Sequence, residues 1–142
     1  AEVVCEEIAS HGWSKVGLLG TTWTMTGPVY ERTLAARNLE RLIPDEQTRA
    51  KINAAIFDEL CQGVFSAATT AMFVSAIEDL KSRGAECVIL GCTEIPLIIN
   101  PENSPLPVLD STRLLAQHAV RTAIADQPIE THNGWITLPT SG

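Results

Sequence analysis

Two short apolar runs that end in glycine constrain the fold of this chain more than any other feature. They read KVGLLG, at residues 15–20, and ECVILG, at residues 86–91. Short runs that are apolar almost throughout are typical of strands covered on both faces, as in a parallel sheet. Segments with helical patterns surround both runs. This alternation predicts an α/β fold.

The remaining elements follow from periodicity and capping signals. Helical spacing of apolar residues, with Thr26, Asp45, Ser66 and Asp110 or Ser111 as expected N-caps, predicts helices over residues 1–12, 28–38, 45–63, 66–84 and 111–126. Two weaker strand candidates are LERLIP, at residues 39–44, and Val108–Leu109. We therefore expect three layers, with a parallel sheet of about four strands between helices. One domain is predicted over residues 1–126 and an irregular tail over residues 127–142.

Charge and cysteine content argue against several classes of partner. The net charge is −7 and the isoelectric point about 4.8, whereas nucleic acids and anionic membranes bind basic surfaces. The four cysteines show no zinc-ligand spacing, so no metal is expected. No apolar run approaches the roughly 18 residues of a membrane span. The first residues lack the basic region of a signal peptide, and cysteines are few, so we expect a cytoplasmic protein.

Cys92 is the strongest candidate for chemistry, because it follows Gly91 at the end of the second apolar run. Ligands of parallel α/β sheets bind beyond the carboxyl ends of the strands. Amides of a following helical turn can stabilise a thiolate, which can act as a nucleophile or carry a proton. The structural alternative is a cysteine that fills the core as a small apolar side chain. Thr21 to Thr24, after the first run, either hold an anionic group or cap a turn.

Several segments taken together resemble the aspartate/glutamate racemase family. The resemblance extends from about residue 3 to residue 125 and corresponds to the C-terminal half of those enzymes. Its most specific pair is LGCTEIPL with the upstream GLLGT. The segments that carry it are VGLLGTTWTM, VYERTL, IPDEQ, IFDELCQGVF, VILGCTEIPLII and LPVLD.

The resemblance implies a cofactor-independent racemase built from two similar Rossmann-like domains, with the site in the cleft between them. In such enzymes one thiolate removes the α-proton while a second thiol delivers a proton to the opposite face. The resemblance makes Cys92 the second of these cysteines and Thr93 a group that holds the substrate α-carboxylate. Thr21, Glu94 and Cys61 complete the expected substrate-binding set. The expected substrate is a small acidic amino acid.

This sequence departs from the family pattern in two ways. The N-terminal half with the first catalytic cysteine is not recognisable, so we expect half of a racemase, which associates with a missing N-terminal half or forms a homo-oligomer. Cys61 and Gln62 stand where many members have a basic residue for the substrate's side-chain carboxylate, which puts aspartate preference in doubt. The alternative function is a non-catalytic carboxylate-binding or interaction module that lacks the second thiol.

Overall fold

The computed structural model describes residues 1–125, 130–132 and 135–137. The helices are α1 (Glu2–Ser10), α2 (Thr22–Thr26), α3 (Pro28–Ala35), α4 (Glu46–Asp58), α5 (Ala67–Ser82) and α6 (Ser111–Ile124). The strands are β1 (Lys15–Leu19), β2 (Glu40–Leu42), β3 (Cys87–Leu90), β4 (Val108–Asp110), β5 (Glu130–His132) and β6 (Trp135–Thr137). Short 3-10 turns cover Leu60–Gln62 and Ile95–Leu97.

The first four strands form one parallel sheet in the order β2-β1-β3-β4. The helices flank it: α1 contacts both α3 and α6, and α4 contacts α5. The predicted α/β class, the four strands and the parallel sheet are thereby confirmed. Each of the four candidate segments, including the two weaker ones, contains or lies within one of these strands.

The two central strands are buried because their side chains meet helices on both faces. Val16, Leu18 and Leu19 of β1 are fully buried, and every residue of β3 is buried as well. On one face, Leu80 of α5 lies against Gly17, where an added Cβ would come 3.0 Å from its Cδ1. These strands pair over four residues, from Val16 with Cys87 to Leu19 with Leu90.

Helix starts follow the expected caps with one exception. Asp45, Ser66 and Asp110 each accept a hydrogen bond from a backbone N–H in the first turn of the following helix. Thr26 was the expected cap of α3 but ends α2 instead, and Gly27 precedes Pro28 in the first turn of α3. The TWTMT segment, at residues 22–26, therefore forms a separate helix, which the sequence pattern did not predict.

In the C-terminal region, β5 pairs antiparallel with β6, from Glu130 opposite Thr137 to His132 opposite Trp135. The other residues of the predicted tail lie outside the described residues, so the domain boundary at residue 126 stays a prediction. Among the described helices, none combines the length and apolar character needed to cross a membrane.

Candidate active site

The ends of β1 and β3 bring the two candidate motifs side by side. Leu19 pairs with Leu90, and the Gly91 N–H donates to the Leu19 carbonyl over 2.8 Å. Thr21 and Cys92 therefore leave the sheet as neighbours, at the carboxyl edge where α/β proteins bind ligands. The pairing of β1 with β3 thus brings the two motifs to one edge of the sheet.

Thr24 of α2 packs across both strand ends. A Cβ on Gly20 would lie 2.9 Å from the Thr24 Cβ and Cγ2, and a Cβ on Gly91 would lie 2.8 Å from the Thr24 Cγ2. Both distances are shorter than a real Cβ atom keeps from neighbouring heavy atoms. The glycine before Cys92 thus makes room for a threonine side chain.

Cys92 is half-buried, and its Sγ donates a 2.8 Å hydrogen bond to Glu94 Oε2. Burial, followed by this acceptor carboxylate, raises the pKa of the Cys92 thiol to about 11. The Glu94 backbone N–H favours the thiolate but is outweighed. The amide of the turn thus acts in the expected direction, but burial and the Glu94 carboxylate outweigh it, and Cys92 in the free chain is a thiol at neutral pH.

Glu94 directs its carboxylate to this thiol. Hydrogen bonds from Cys92 and then from Thr93 hold the pKa of Glu94 below its ordinary value. The carboxylate is thus ionised at neutral pH. Thr93 is exposed and Glu94 is half-buried, so the two residues that follow Cys92 are both accessible to solvent.

Thr21 caps α2, which is the structural role considered for it. Its Oγ1 accepts from the Thr24 N–H at 3.3 Å and exchanges a 3.1 Å hydrogen bond with the Thr24 hydroxyl. Thr21 is half-buried and adjoins the end of β1. Its hydroxyl is therefore already engaged in the free chain.

Cys61 lies in the exposed 3-10 turn after α4. Among the causes that raise the pKa of Cys92, the electrostatic effect of Cys61 is the smallest, and it indicates that the two side chains lie in the same region of this edge. Glu59 shapes this turn: its carbonyl accepts from the N–H groups of Gln62 and Val64, both at 2.9 Å. The Glu59 carboxylate in turn accepts from the hydroxyls of Ser66 and Thr69.

Two residues of this edge were missed by sequence reasoning. Asn53 of α4 accepts a 2.9 Å hydrogen bond from the Thr22 N–H, which fastens α4 to the start of α2. Glu59 holds the Cys61 turn. The sequence signal for Asn53 is a polar amide inside a predicted helix. Asparagine is a poor helix former, so its presence there suggests that its side chain has a partner.

No metal site accompanies these side chains. Among the residues that the structure describes, no cluster of three or more His, Cys, Asp or Glu side chains is placed to hold an ion.

Comparison with known proteins identifies the family. The sequence model of the Asp/Glu/Hydantoin racemase family matches residues 1–119. The chain belongs to this racemase family. The membership agrees with the resemblance drawn from the LGCTEIPL and GLLGT segments.

Solved structures of this racemase family have the same fold. A Yersinia pestis protein described as a candidate Asp/Glu racemase superposes with a TM-score of 0.83 at 34% identity, over 87% of this chain and 54% of that one. An aspartate racemase homologue from Pyrococcus horikoshii OT3 gives 0.79 at 36% identity, over 85% and 53%.

A curated relative in the family is the broad specificity amino-acid racemase RacX of Bacillus subtilis (strain 168). It is 27% identical over 117 residues, which make up 82% of this chain and 50% of RacX. The chain thus spans about half the length of RacX and of the two solved structures.

Proposed function

We propose that this chain supplies one half of the site of a cofactor-independent amino-acid racemase, with Cys92 as a proton-transfer group. The observation that supports this most is the Cys92 thiol, half-buried at the end of β3 with Glu94 as its acceptor. Membership of the racemase family supplies the reaction class.

The protonation state of Cys92 sets its role in the proposed mechanism. A thiol with a pKa of about 11 starts the reaction as the acid. A thiolate on the opposite face takes the α-proton, and Cys92 delivers its S–H proton to the α-carbon, leaving a Cys92 thiolate. The reverse direction starts from that thiolate. Because the α-carbon is weakly acidic, hydrogen bonds and exclusion of water must stabilise the developing charge.

The neighbouring residues have proposed roles that follow their positions. Thr93 holds the substrate α-carboxylate, and Thr21 and Cys61 line the site. Glu94, expected from the sequence to bind substrate, is proposed instead to position the Cys92 thiol and keep it protonated.

The opposite thiolate is proposed to come from a second unit. Large apolar side chains are exposed on segments at or near the carboxyl edge of the sheet, and such a surface favours association. They are Trp23, Phe57, Val64, Phe65 and Leu97. The match covers only about half of each of these relatives, which supports an N-terminal half as the partner, with a homo-oligomer as the second possibility.

Aspartate and glutamate are the first substrates to test, because the family description and the solved relatives name them. The reducing cytoplasm is the proposed location, since the mechanism needs Cys92 as a free thiol. The second candidate function is a carboxylate-binding or interaction module. The match to only about half of each of these relatives favours it, because a second proton-transfer thiol then has to come from outside the matched region.

Proton exchange separates the two functions. The chain is incubated with either enantiomer of aspartate or glutamate in D2O from pH 7 to pH 10. With a single acid–base group we expect slow α-deuterium incorporation, rising with pH and without loss of optical activity. Cys92→Ser should abolish it. Absence of exchange throughout this range, with binding retained, would establish the binding module instead.

A further inference from the structure

A cavity of about 320 Å³ opens beside Thr21, between α2 and α4. Two aromatic side chains form part of its wall: Trp23, which is 81% exposed, and Phe57, which is 52% exposed. Exposed aromatic faces of this kind are suited to an apolar or aromatic group of a ligand. The lining residues are Thr21, Thr22, Trp23, Thr26, Asn53 and Phe57.

The polar groups of this cavity are neutral. The Asn53 Oδ1 is occupied by the Thr22 N–H, and within residues 1–125 its Nδ2 has no hydrogen-bond partner. An amide N–H₂ is a donor that suits an uncharged carbonyl or hydroxyl oxygen. The Thr26 hydroxyl is already committed to the Thr22 carbonyl at 2.8 Å.

Cations are missing from this part of the site. All ten Lys and Arg residues lie between residues 15 and 121, which the structure describes, and none lines the cavity. Four of them pair with carboxylates elsewhere: Lys15, Arg37, Arg41 and Arg83. The groups that lower the pKa of Glu94 are Cys92, Thr93 and its own backbone, with no cation among them.

A second carboxylate on the substrate would therefore enter a cavity whose lining, as this chain supplies it, is neutral and holds no cation, in a chain of net charge −7. A carboxylate that loses water without a cationic partner loses more free energy than an amide does.

We propose that the site takes amino acids with uncharged side chains, and that the cavity between Trp23, Asn53 and Phe57 holds that side chain. This inference rests on the proposed racemase function and narrows its substrate class. It departs from the acidic substrate that the family resemblance implies.

Glutamine against glutamate, and asparagine against aspartate, are matched probes that differ mainly in charge. We expect α-deuterium incorporation in D2O to be about tenfold faster with the amide of each pair, since the amide carries no charge that must lose its water in a neutral cavity. Exchange that is equal or faster with glutamate and aspartate would overturn the inference while leaving the racemase function intact.

Binding gives a readout that does not depend on catalysis. In ¹⁵N spectra, glutamine and methionine should shift the Trp23 indole and Asn53 side-chain signals, and Phe57→Ala should weaken the binding. Glutamate should shift them only at about tenfold higher concentration. Tighter binding of glutamate, or no shift with any of the three amino acids, would refute the inference even if the chain exchanges no α-protons.

A charge introduced at the site should reverse the preference. Cys61→Arg places a cation one turn beyond Phe57, and we expect it to raise the glutamate to glutamine ratio of binding about tenfold. Ser82→Arg, which makes the same change in net charge at the far end of α5, is the matched control and should leave the ratio unaltered. Equal effects of both substitutions would show that overall charge, not the cavity, sets the preference.

Discussion

The two ends of β3 each carry a glutamate, and their surroundings differ. At the start, the Glu86 carboxylate accepts hydrogen bonds from the Ser14 N–H at 2.7 Å, the Lys15 N–H at 2.9 Å and the Ser14 hydroxyl. At the end, Glu94 takes a hydrogen bond from the Cys92 thiol. The first carboxylate joins two strands of the backbone, whereas the second adjusts the protonation of a neighbouring side chain.

The cysteines of these two ends differ in the same sense. Cys87 is fully buried, and burial raises its pKa to about 12. Cys92 reaches a pKa of about 11 through burial and Glu94 together, and it stays partly accessible. The start of the strand is thus built for stability, while the end combines accessibility with a controlled proton. The predictions below test this contrast.

The largest expected effect is on catalysis. Cys92→Ser should lower α-proton exchange by at least about 100-fold, the usual scale of a lost general acid–base group, with little change in stability. Cys87→Ser should instead leave α-proton exchange in place and lower the free energy of unfolding. A buried hydroxyl without a partner costs about 1–3 kcal/mol. Deuterium exchange and urea denaturation of both variants measure this. A Cys87→Ser protein that folds normally yet loses exchange would contradict the contrast.

Packing at the end of β3 gives the next effect. Gly91→Ala should reduce the free energy of unfolding by about 1–3 kcal/mol, because its Cβ would meet the Thr24 Cγ2 at 2.8 Å. Adding Thr24→Ser removes that methyl group but keeps the hydroxyl, and should recover part of the loss. Thermal and urea denaturation of the single and double variants measure the coupling. Strictly additive losses would argue against the contact.

The Glu94 carboxylate should control the reactivity of Cys92. Glu94→Gln removes the acceptor charge, so the pKa of Cys92 should fall from about 11 towards the ordinary thiol value. A fall of about one pH unit makes the thiolate about tenfold more abundant at pH 8 and speeds iodoacetamide labelling equally. Glu86→Gln is the matched control and should leave the labelling profile in place. Slower labelling in Glu94→Gln would reverse the assigned role.

The smallest expected effect concerns acid stability. The pKa of Glu86 is lowered by backbone hydrogen bonds from Ser14 and Lys15, so its stabilising effect is complete above the unfolded pKa near 4.5. That effect is lost as the pH falls through the lower folded pKa. Wild type should therefore lose more stability than Glu86→Gln between pH 6 and pH 3. Urea denaturation across this range measures the difference. If the free energy of unfolding of both proteins fell equally with pH, Glu86 would not be the cause of the acid sensitivity.

The fold was predictable from the sequence because its strands leave few alternatives. The run CVIL begins five residues after the end of α5 and is closed by glycine. It is too short for a helix and too apolar for a loop. The position of Cys92 at a strand end follows from that reading. Its protonation does not, because the bond to Glu94 depends on how the chain turns after Gly91.

Other parts of the site depend on contacts between remote segments. The Asn53 bond to the Thr22 N–H joins residues 31 positions apart, and no periodic pattern indicates it. The packing of Thr24 on two glycines likewise needs the pairing of β1 with β3 before it becomes visible. The separate helix α2 escaped prediction for a related reason, since five residues carry too little periodicity to mark a helix.

The position of Thr24 also limits how this site can diverge. Its side chain touches the positions of Gly20 and Gly91 at once, so those three residues are subject to one shared steric requirement. A larger residue at position 20 or 91 is compatible only with a smaller one at position 24. Substitutions at these positions should therefore be accepted as sets, and a library that varies all three together should recover compensated combinations that single-site libraries reject.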